Sequence, residues 1–186
     1  SRGLGDVYKR QDNWIMPNIK MKKRDYKDGN AIYDVMNYCL NHDLRDYDVI
    51  YLPNRSDCMK LAIGDRANEA KYMAGFWNAL LDVYNKNSGK RFNHFIIGIG
   101  YENQTKTLHY GNVILIDLLQ FLQDRGFPGL VAYHVTPQGY HHIHMMVGIT
   151  NIYGESAYSN NINTWTIANY LNNNIQGLNI QVVPYD

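Results

Sequence analysis

The segment that decides the fold reads Leu130-Val-Ala-Tyr-His134-Val-Thr-Pro-Gln-Gly-Tyr-His141-His142-Ile-His144-Met-Met-Val147. It holds four of the chain's seven histidines within eleven residues. Pro137 and Gly139 mark a tight connection between two alternating stretches, which predicts a β-hairpin. With a loop of about five residues, His134 lies directly opposite His142. His144 follows two residues later and therefore points to the same face of the strand.

The predicted hairpin is amphipathic, and its polar face is formed by histidine. The opposite face is mostly apolar and suits packing against helices; it carries Val131, Tyr133, Val135, His141, Ile143, Met145 and Val147. Three neutral imidazoles leave coordination positions open on a divalent ion, as a catalytic metal site requires. We therefore predict that His134, His142 and His144 bind a metal. We interpret His141 as structural, and His94 as structural or substrate-facing.

Hydrophobic periodicity predicts an α/β chain in which strands alternate with long helices. The predicted helices cover 31–40, 65–84, 111–125 and 164–174, and the predicted strands cover 92–100, 130–135, 141–149 and 178–183, with 47–52 a strand or a loop. In the strand from Phe92 to Gly100, Phe95, Ile97 and Ile99 share one face. We expect an α+β sandwich with one mostly antiparallel sheet of about five strands and helices packed on one face.

Composition indicates a globular protein of ordinary domain size. The chain has 186 residues, of which 45% are hydrophobic and 19% charged. It contains no apolar run of roughly 18 residues and no secretory signal, so we expect a cytoplasmic location without membrane insertion. Cys39 and Cys58 are too few for a disulfide framework, and we expect both to be buried thiols.

Charge is unevenly distributed along the chain. Residues 1–27 hold eight Lys or Arg against three Asp or Glu, and no Lys or Arg follows Arg125. The basic cluster of Lys20, Lys22, Lys23 and Arg24 is either a solvated tail or an arm that contacts phosphates. We expect residues 1–27 to form a basic N-terminal arm, the first dozen being a tag, a scar or another artefact.

The histidine pair carries a family resemblance. His142-Ile-His144 followed by Met-Met-Val fits the histidine–hydrophobic–histidine signature of the HUH endonucleases. The upstream His134 is spaced as in the relaxases, the mobilisation nucleases of conjugative and mobilisable plasmids. Val35-Met-Asn-Tyr38-Cys-Leu is similar to the short helix in which relaxases carry a nucleophilic tyrosine, and 163–180 resembles the helix and strand that follow the histidines. The resemblance covers about 28–185, so we expect a nuclease domain over 28–186.

The resemblance implies an activity, a cofactor and partners. A relaxase nicks single-stranded DNA at a transfer origin through a tyrosine, which forms a 5′-phosphotyrosyl link and leaves a free 3′-hydroxyl. For this chain the resemblance implies Tyr38 as the nucleophile and Mg or Mn as the metal. It also implies accessory mobilisation proteins and a coupling protein as partners. Two positions depart from the family pattern: Thr136 occupies a slot that is often acidic, and Gly148 one that is often asparagine.

Several alternatives stay open. Among the 16 tyrosines, Tyr33 is the main rival of Tyr38, and Tyr26 follows. Tyr170 is the candidate if the chain is instead a rolling-circle replication initiator or a single-domain transposase of the same superfamily, where the tyrosine follows the histidines. A catalytically inactive DNA-binding relative and a metal protein unrelated to nucleic acids are further alternatives.

Overall fold

The structure is a computed structural model that describes residues 16–50 and 66–184. Its strands are β1 (Asn18–Met21), β2 (Leu44–Ile50), β3 (Phe92–Tyr101), β4 (Gly129–Val135), β5 (Tyr140–Gly148) and β6 (Gln181–Val182). Its helices are α1 (Ala31–Asn41), α2 (Arg66–Val83), α3 (Thr107–Arg125) and α4 (Thr164–Asn174). None of these helices is both long and apolar enough to cross a membrane. Cys39 is buried as predicted, whereas Cys58 lies outside the described residues.

The strands form one six-stranded sheet in the order β2-β4-β5-β3-β1-β6. Every neighbouring pair is antiparallel except β1 and β6, which are parallel. The predicted α+β class with a mostly antiparallel sheet is therefore confirmed, and the histidine hairpin lies at its centre. The additional strand is β1, which sequence reasoning missed because its four residues bury only Ile19 and show no visible alternation.

Strand β1 changes the boundary drawn at residue 27. The segment assigned to a separate basic arm enters the sheet, because Asn18 to Met21 pair with Gly98 to Phe95 of β3. Lys20 is thus a strand residue, and β3 separates its strand from the histidine hairpin. Residues 1–15 of the predicted arm lie outside the described residues.

The register of the hairpin follows the sequence prediction. His134 pairs with His142, and Val135 pairs with His141. The turn is closed by the amide of Gly139, which donates to the carbonyl of Thr136 at 2.8 Å. Gly139 has φ +79°, a left-handed conformation that glycine adopts without steric cost.

Helices cover both faces of the sheet, so the prediction that they pack on one face is wrong. Helices α3 and α4 pack against the apolar face of the hairpin, which contributes Val131, Tyr133, Ile143, Met145 and Val147 to that core. Helices α1 and α2 pack against the histidine face, where Phe92, Leu130, Ala132 and Met146 are buried. The histidines occupy only one end of their face, and the apolar residues at the other end must be removed from water.

Helix α3 also begins earlier than the pattern predicted, at Thr107 rather than near Gly111. Its first residue follows Lys106, which has φ +71° and makes no side-chain cap, so the usual sequence signal for a helix start is missing. The helix ends as predicted at Gly126, whose φ of +72° and backbone N–H complete the last turn.

Candidate metal centre and basic cleft

The structure brings together the side chains of His134, His142 and His144, the three predicted metal ligands. The ring centroids lie 5.3 Å apart for His134 and His142, 5.0 Å for His142 and His144, and 4.6 Å for His134 and His144. One ring nitrogen of each lies within 4.8 Å of those of the other two. His134 and His144 are buried, at 1% and 4% exposed. This cluster can hold a metal ion.

The ring nitrogens support this interpretation. Nδ1 of His142 and Nε2 of His144 are buried, and neither has a hydrogen-bond partner. A buried polar atom left unpaired costs free energy, which coordination to a metal would recover. Nε2 of His134 lies 2.7 Å from the carbonyl oxygen of Cys39. Because a carbonyl can only accept, this Nε2 carries the proton, and Nδ1 keeps its lone pair in the neutral ring.

Burial also keeps the three rings neutral. It is the main reason that the pKa of His142 falls to about 4, with a contribution from His134. Burial, followed by repulsion from the neighbouring His94, His134 and His142, lowers the pKa of His144 far below its ordinary value. Burial lowers the pKa of His134 as well. Neutral imidazole is the form that binds metals, so the cluster needs no deprotonation near neutral pH.

A fourth histidine lies behind the cluster. Nε2 of His94, on β3, is 2.8 Å from Nδ1 of His144. Nδ1 of His94 is 3.2 Å from the hydroxyl of Tyr26. His94 is 5% exposed, and burial lowers its pKa to about 4. The structure thus places His94 in contact with His144, one of the predicted ligands. His94 also forms a second potential metal-binding group, together with Cys39 and His144.

Tyr38 lies beside the histidine cluster. Its ring centroid is 5.7 Å from that of His144 and 6.4 Å from that of His134. The side chain is 48% exposed, so its hydroxyl is accessible to a large substrate. The hydrogen bond from His134 to the carbonyl of the next residue, Cys39, joins α1 to β4 and holds this end of α1 beside the hairpin.

The rival tyrosines occupy other environments. Tyr33 packs in the core formed with α1 and α2. Tyr26 stacks on Phe92 with ring centroids 4.3 Å apart and contacts His94 through its hydroxyl. Tyr170, on α4, packs against Phe121 on the opposite side of the sheet, with ring centroids 5.1 Å apart.

A cleft of about 660 Å³ opens over the histidine face. It is lined by Tyr38, His142 and His144, and also by residues of the β1 segment and β3. Lys20, Lys22 and Arg24 contribute positive charge to this lining, and Asp34 contributes a carboxylate. Lys23 does not line the cleft, so the structure separates it from the other three members of the predicted basic cluster.

The two departures from the family pattern have local explanations. The hydroxyl of Thr136 accepts the amide N–H of Tyr140 at 3.1 Å and so stabilises the hairpin turn. A Cβ on Gly148 would lie 2.6 Å from Cγ of Pro128, so a side chain there would collide with the proline ring. His141 points to the apolar face, as predicted, where its Nδ1 bonds the hydroxyl of Tyr133.

Sequence reasoning missed one residue at the mouth of the site. The exposed His42 follows α1 directly, and its ring centroid lies 5.0 Å from that of Tyr38. The signal was available, because residues four apart on a helix share a face. The contact between Tyr26 and His94, by contrast, joins residues 68 positions apart and has no local signature.

Comparisons with known proteins support the fold. The sequence matches no protein-family model and no curated protein. Among solved structures, it is similar to one described as the molecular basis of vancomycin resistance transfer in Staphylococcus aureus. The TM-score is 0.52 at 14% identity, and the alignment covers 91% of this chain and 98% of that one. At this identity the likeness concerns the fold, which the two chains share over most of their lengths.

Proposed function

We propose that this chain is a relaxase-type endonuclease that nicks single-stranded DNA at a transfer origin through Tyr38 and a divalent metal. The observation that carries the proposal is the position of Tyr38 at the edge of the three-histidine cluster, within one basic cleft. A nucleophile, a metal-binding set and cationic side chains are the parts that phosphodiester cleavage needs. The proposed cellular role is plasmid mobilisation in the cytoplasm, together with accessory mobilisation proteins and a coupling protein.

The cleft would hold the substrate before the reaction. Lys20, Lys22 and Arg24 would contact phosphates of the strand, an interaction that does not depend on base sequence. The cleft runs past Tyr38 and the histidines, so a strand that follows it would pass the proposed nucleophile. Binding along the cleft would align one phosphodiester with the hydroxyl of Tyr38 and so lower the entropic part of the barrier.

Cleavage would then transfer the phosphorus from one oxygen to another. The hydroxyl oxygen of Tyr38 bonds to phosphorus, and the bond between phosphorus and the 3′-oxygen breaks. The proton of Tyr38 passes to a base, and the leaving 3′-oxygen takes up a proton to become a hydroxyl. His42 lies next to Tyr38 and is the side chain that we assign as this base. The 5′-phosphotyrosyl link conserves the bond energy, so the strand can later be rejoined.

His134, His142 and His144 would hold the metal, for which we propose Mg or Mn. A divalent ion bound there supplies charge neutralisation for the non-bridging phosphate oxygens. The buried, unpaired Nδ1 of His142 and Nε2 of His144 are the nitrogens that we assign as ligands. The third ligand is assigned to Nδ1 of His134, because its Nε2 bonds the carbonyl of Cys39.

The position of Tyr170 favours a relaxase over the related initiators and transposases. In those enzymes the tyrosine follows the histidines in the chain, which would assign the role to Tyr170. Here Tyr170 packs against Phe121 on the far side of the sheet from the histidine face. Among the tyrosines that the structure describes, Tyr38 combines exposure with contact to the histidine cluster.

The experiment is the capture of a covalent protein–DNA adduct. The full chain is incubated with Mn²⁺ and a labelled single-stranded oligonucleotide library, and the adduct is resolved on a denaturing gel and mapped by mass spectrometry. We expect the adduct at Tyr38, its loss in Tyr38→Phe, and its retention in the matched controls Tyr33→Phe and Tyr170→Phe. Chelation of the metal or His142→Ala should abolish it. An adduct that survives Tyr38→Phe contradicts the assignment, and binding without any adduct indicates an inactive DNA-binding relative.

A further inference from the structure

We infer that His94 is a positioning residue of the metal centre: its unprotonated Nε2 accepts the Nδ1–H of His144 and thereby directs the lone pair of His144 Nε2 towards the metal. In the same chain of bonds, Tyr26 positions His94. The inference rests on the proposed function and deepens it, since it assigns a residue that orients one of the proposed metal ligands.

The available hydrogen-bond partners select one arrangement of protons. Nε2 of His144 is buried without a partner, and Nδ1 is 2.8 Å from Nε2 of His94. If Nε2 of His144 carried the proton, a buried N–H would be left without an acceptor, which costs free energy. The proton therefore belongs on Nδ1, and it is donated to His94. A ring nitrogen that accepts cannot also carry a proton, so Nε2 of His94 is bare.

The hydrogen bonds of His94 also locate its own proton. Because Nε2 of His94 is bare, the neutral ring carries its proton on Nδ1, and that N–H donates to the hydroxyl oxygen of Tyr26 at 3.2 Å. The result is a continuous path of hydrogen bonds from His144 through His94 to the hydroxyl oxygen of Tyr26. Ligating histidines commonly donate their second N–H to a fixed acceptor, which sets both the tautomer and the ring orientation.

The fold holds this path rigidly. His94 lies opposite Met146 in the pairing of β3 with β5, so His144 is its diagonal neighbour on the same face. His94 and His144 are 5% and 4% exposed. Tyr26 is held by its stacking on Phe92, with ring centroids 4.3 Å apart and planes inclined by 25°. Three packed aromatic rings thus set the orientation of the ligand.

Amide variants of His94 separate positioning from packing. In His94→Gln the side-chain amide reaches roughly the place of Nε2, where its oxygen can accept from His144. In His94→Asn the amide reaches only the place of Nδ1 and cannot contact His144. Both variants introduce the same amide group and remove the ring, and the Asn side chain is shorter by one methylene group. Tyr26→Phe is a milder third variant, since it keeps the stacking on Phe92 and removes only the outer acceptor.

The first readout is the tautomer of His144 in the metal-free protein, measured by side-chain ¹⁵N NMR and assigned by comparison with His144→Gln. We expect protonated Nδ1 and bare Nε2 in the wild type and in His94→Gln, and a mixture of tautomers in His94→Asn. Tyr26→Phe should shift the populations in the same direction but less. Bare Nδ1 in the wild type, or the same spectrum for the Gln and Asn variants, would overturn the inference.

The second readout is the dissociation constant for Mn²⁺ alone, measured without DNA. We expect His94→Asn to weaken binding by about 10- to 100-fold, and His94→Gln to stay within about threefold of the wild type. Equal weakening in both variants overturns the positioning role. These measurements are independent of cleavage. If the NMR and Mn²⁺ results are as expected but no DNA adduct forms, the proposed nuclease activity is rejected and the positioning role of His94 is retained.

Discussion

Nε2 of His134 donates a hydrogen bond to the carbonyl oxygen of Cys39 at 2.7 Å, and this bond joins the helix of Tyr38 to the strand of the first histidine. It links two parts of the chain that are 95 residues apart. The acceptor belongs to the backbone, so the connection does not depend on the side chain of Cys39.

Cys39→Ala should leave the affinity for Mn²⁺ unchanged. The backbone carbonyl remains in place, and the proposed ligands are three histidines. Because Cys39 is fully buried, loss of its sulfur should lower the free energy of unfolding by about 1 kcal/mol. Mn²⁺ titration followed by electron paramagnetic resonance, together with urea unfolding, measures both effects. Loss of Mn²⁺ binding would instead assign the metal to the group of Cys39, His94 and His144.

The metal-free protein should lose stability as the pH falls from about 6.5 towards 4. The pKa values of His94 and His142 are lowered to about 4 by burial, whereas in the unfolded chain these groups titrate near 6.5. Within this interval the unfolded state binds more protons than the folded state, so acid favours unfolding. The stabilising contribution is complete above pH 6.5 and is lost as the pH falls through the interval.

Urea unfolding in the presence of a chelator, at several pH values between 4.5 and 7.5, tests this prediction. His142→Gln removes one of the contributing groups and should reduce the pH dependence of the unfolding free energy. A flat profile for the wild type would mean that the histidines are charged or solvated in the folded protein.

The basic residues that line the cleft should contribute more to DNA binding than Lys23, which lies outside the lining. Lys22→Gln and Arg24→Gln should weaken the binding of single-stranded DNA, because both side chains line the cleft beside Tyr38. Each lost phosphate contact should also reduce the slope of log affinity against log salt by about 0.7. Lys23→Gln is the matched control, since it removes the same charge from the same segment outside the cleft lining. Fluorescence anisotropy at three salt concentrations measures these effects, and equal losses in all three variants would indicate a general charge effect.

Local pattern explains what could be predicted from the sequence. The pairing of His134 with His142 follows from strand alternation and from a turn containing Pro137 and Gly139, all within eighteen residues. A change of one residue in register would have turned the histidines to the apolar face, so the hydrophobic pattern specified it strongly. The place of Tyr38 beside the cluster was anticipated only through the family resemblance.

Long-range packing explains what could not be predicted. Strand β1 has a single buried residue, Ile19, and forms because β3 offers an edge to pair with. The helices on the histidine face could not be read from strand alternation, because the histidines share that face with the apolar Leu130 and Met146, which α1 and α2 cover. The role of His94 depends on Tyr26, and no periodicity connects two such distant residues.

An asparagine at position 148, where relaxases often carry one, should destabilise the protein. In Gly148→Asn the new Cβ would lie 2.6 Å from Cγ of Pro128, so the strand or the Pro128 ring must shift. We expect the free energy of unfolding to fall by about 1–3 kcal/mol, as in other overpacked sites. Gly75→Ala is the control, because nothing lies within 4 Å of a Cβ at that helical position. It should raise stability by about 0.5–1 kcal/mol. Wild-type stability in Gly148→Asn would contradict the close approach of Pro128.

His42→Gln should slow cleavage without weakening the metal centre. The ring of His42 lies 5.0 Å from that of Tyr38 and makes no part of the three-histidine cluster. A tyrosine hydroxyl is a weak nucleophile until a base removes its proton, so loss of the imidazole should lower the single-turnover rate by about 100-fold. Raising the pH should partly restore the rate, because hydroxide then removes the proton. Mn²⁺ affinity should equal that of the wild type. An unchanged single-turnover rate at pH 7 would remove His42 from the mechanism and leave the proton of Tyr38 to solvent.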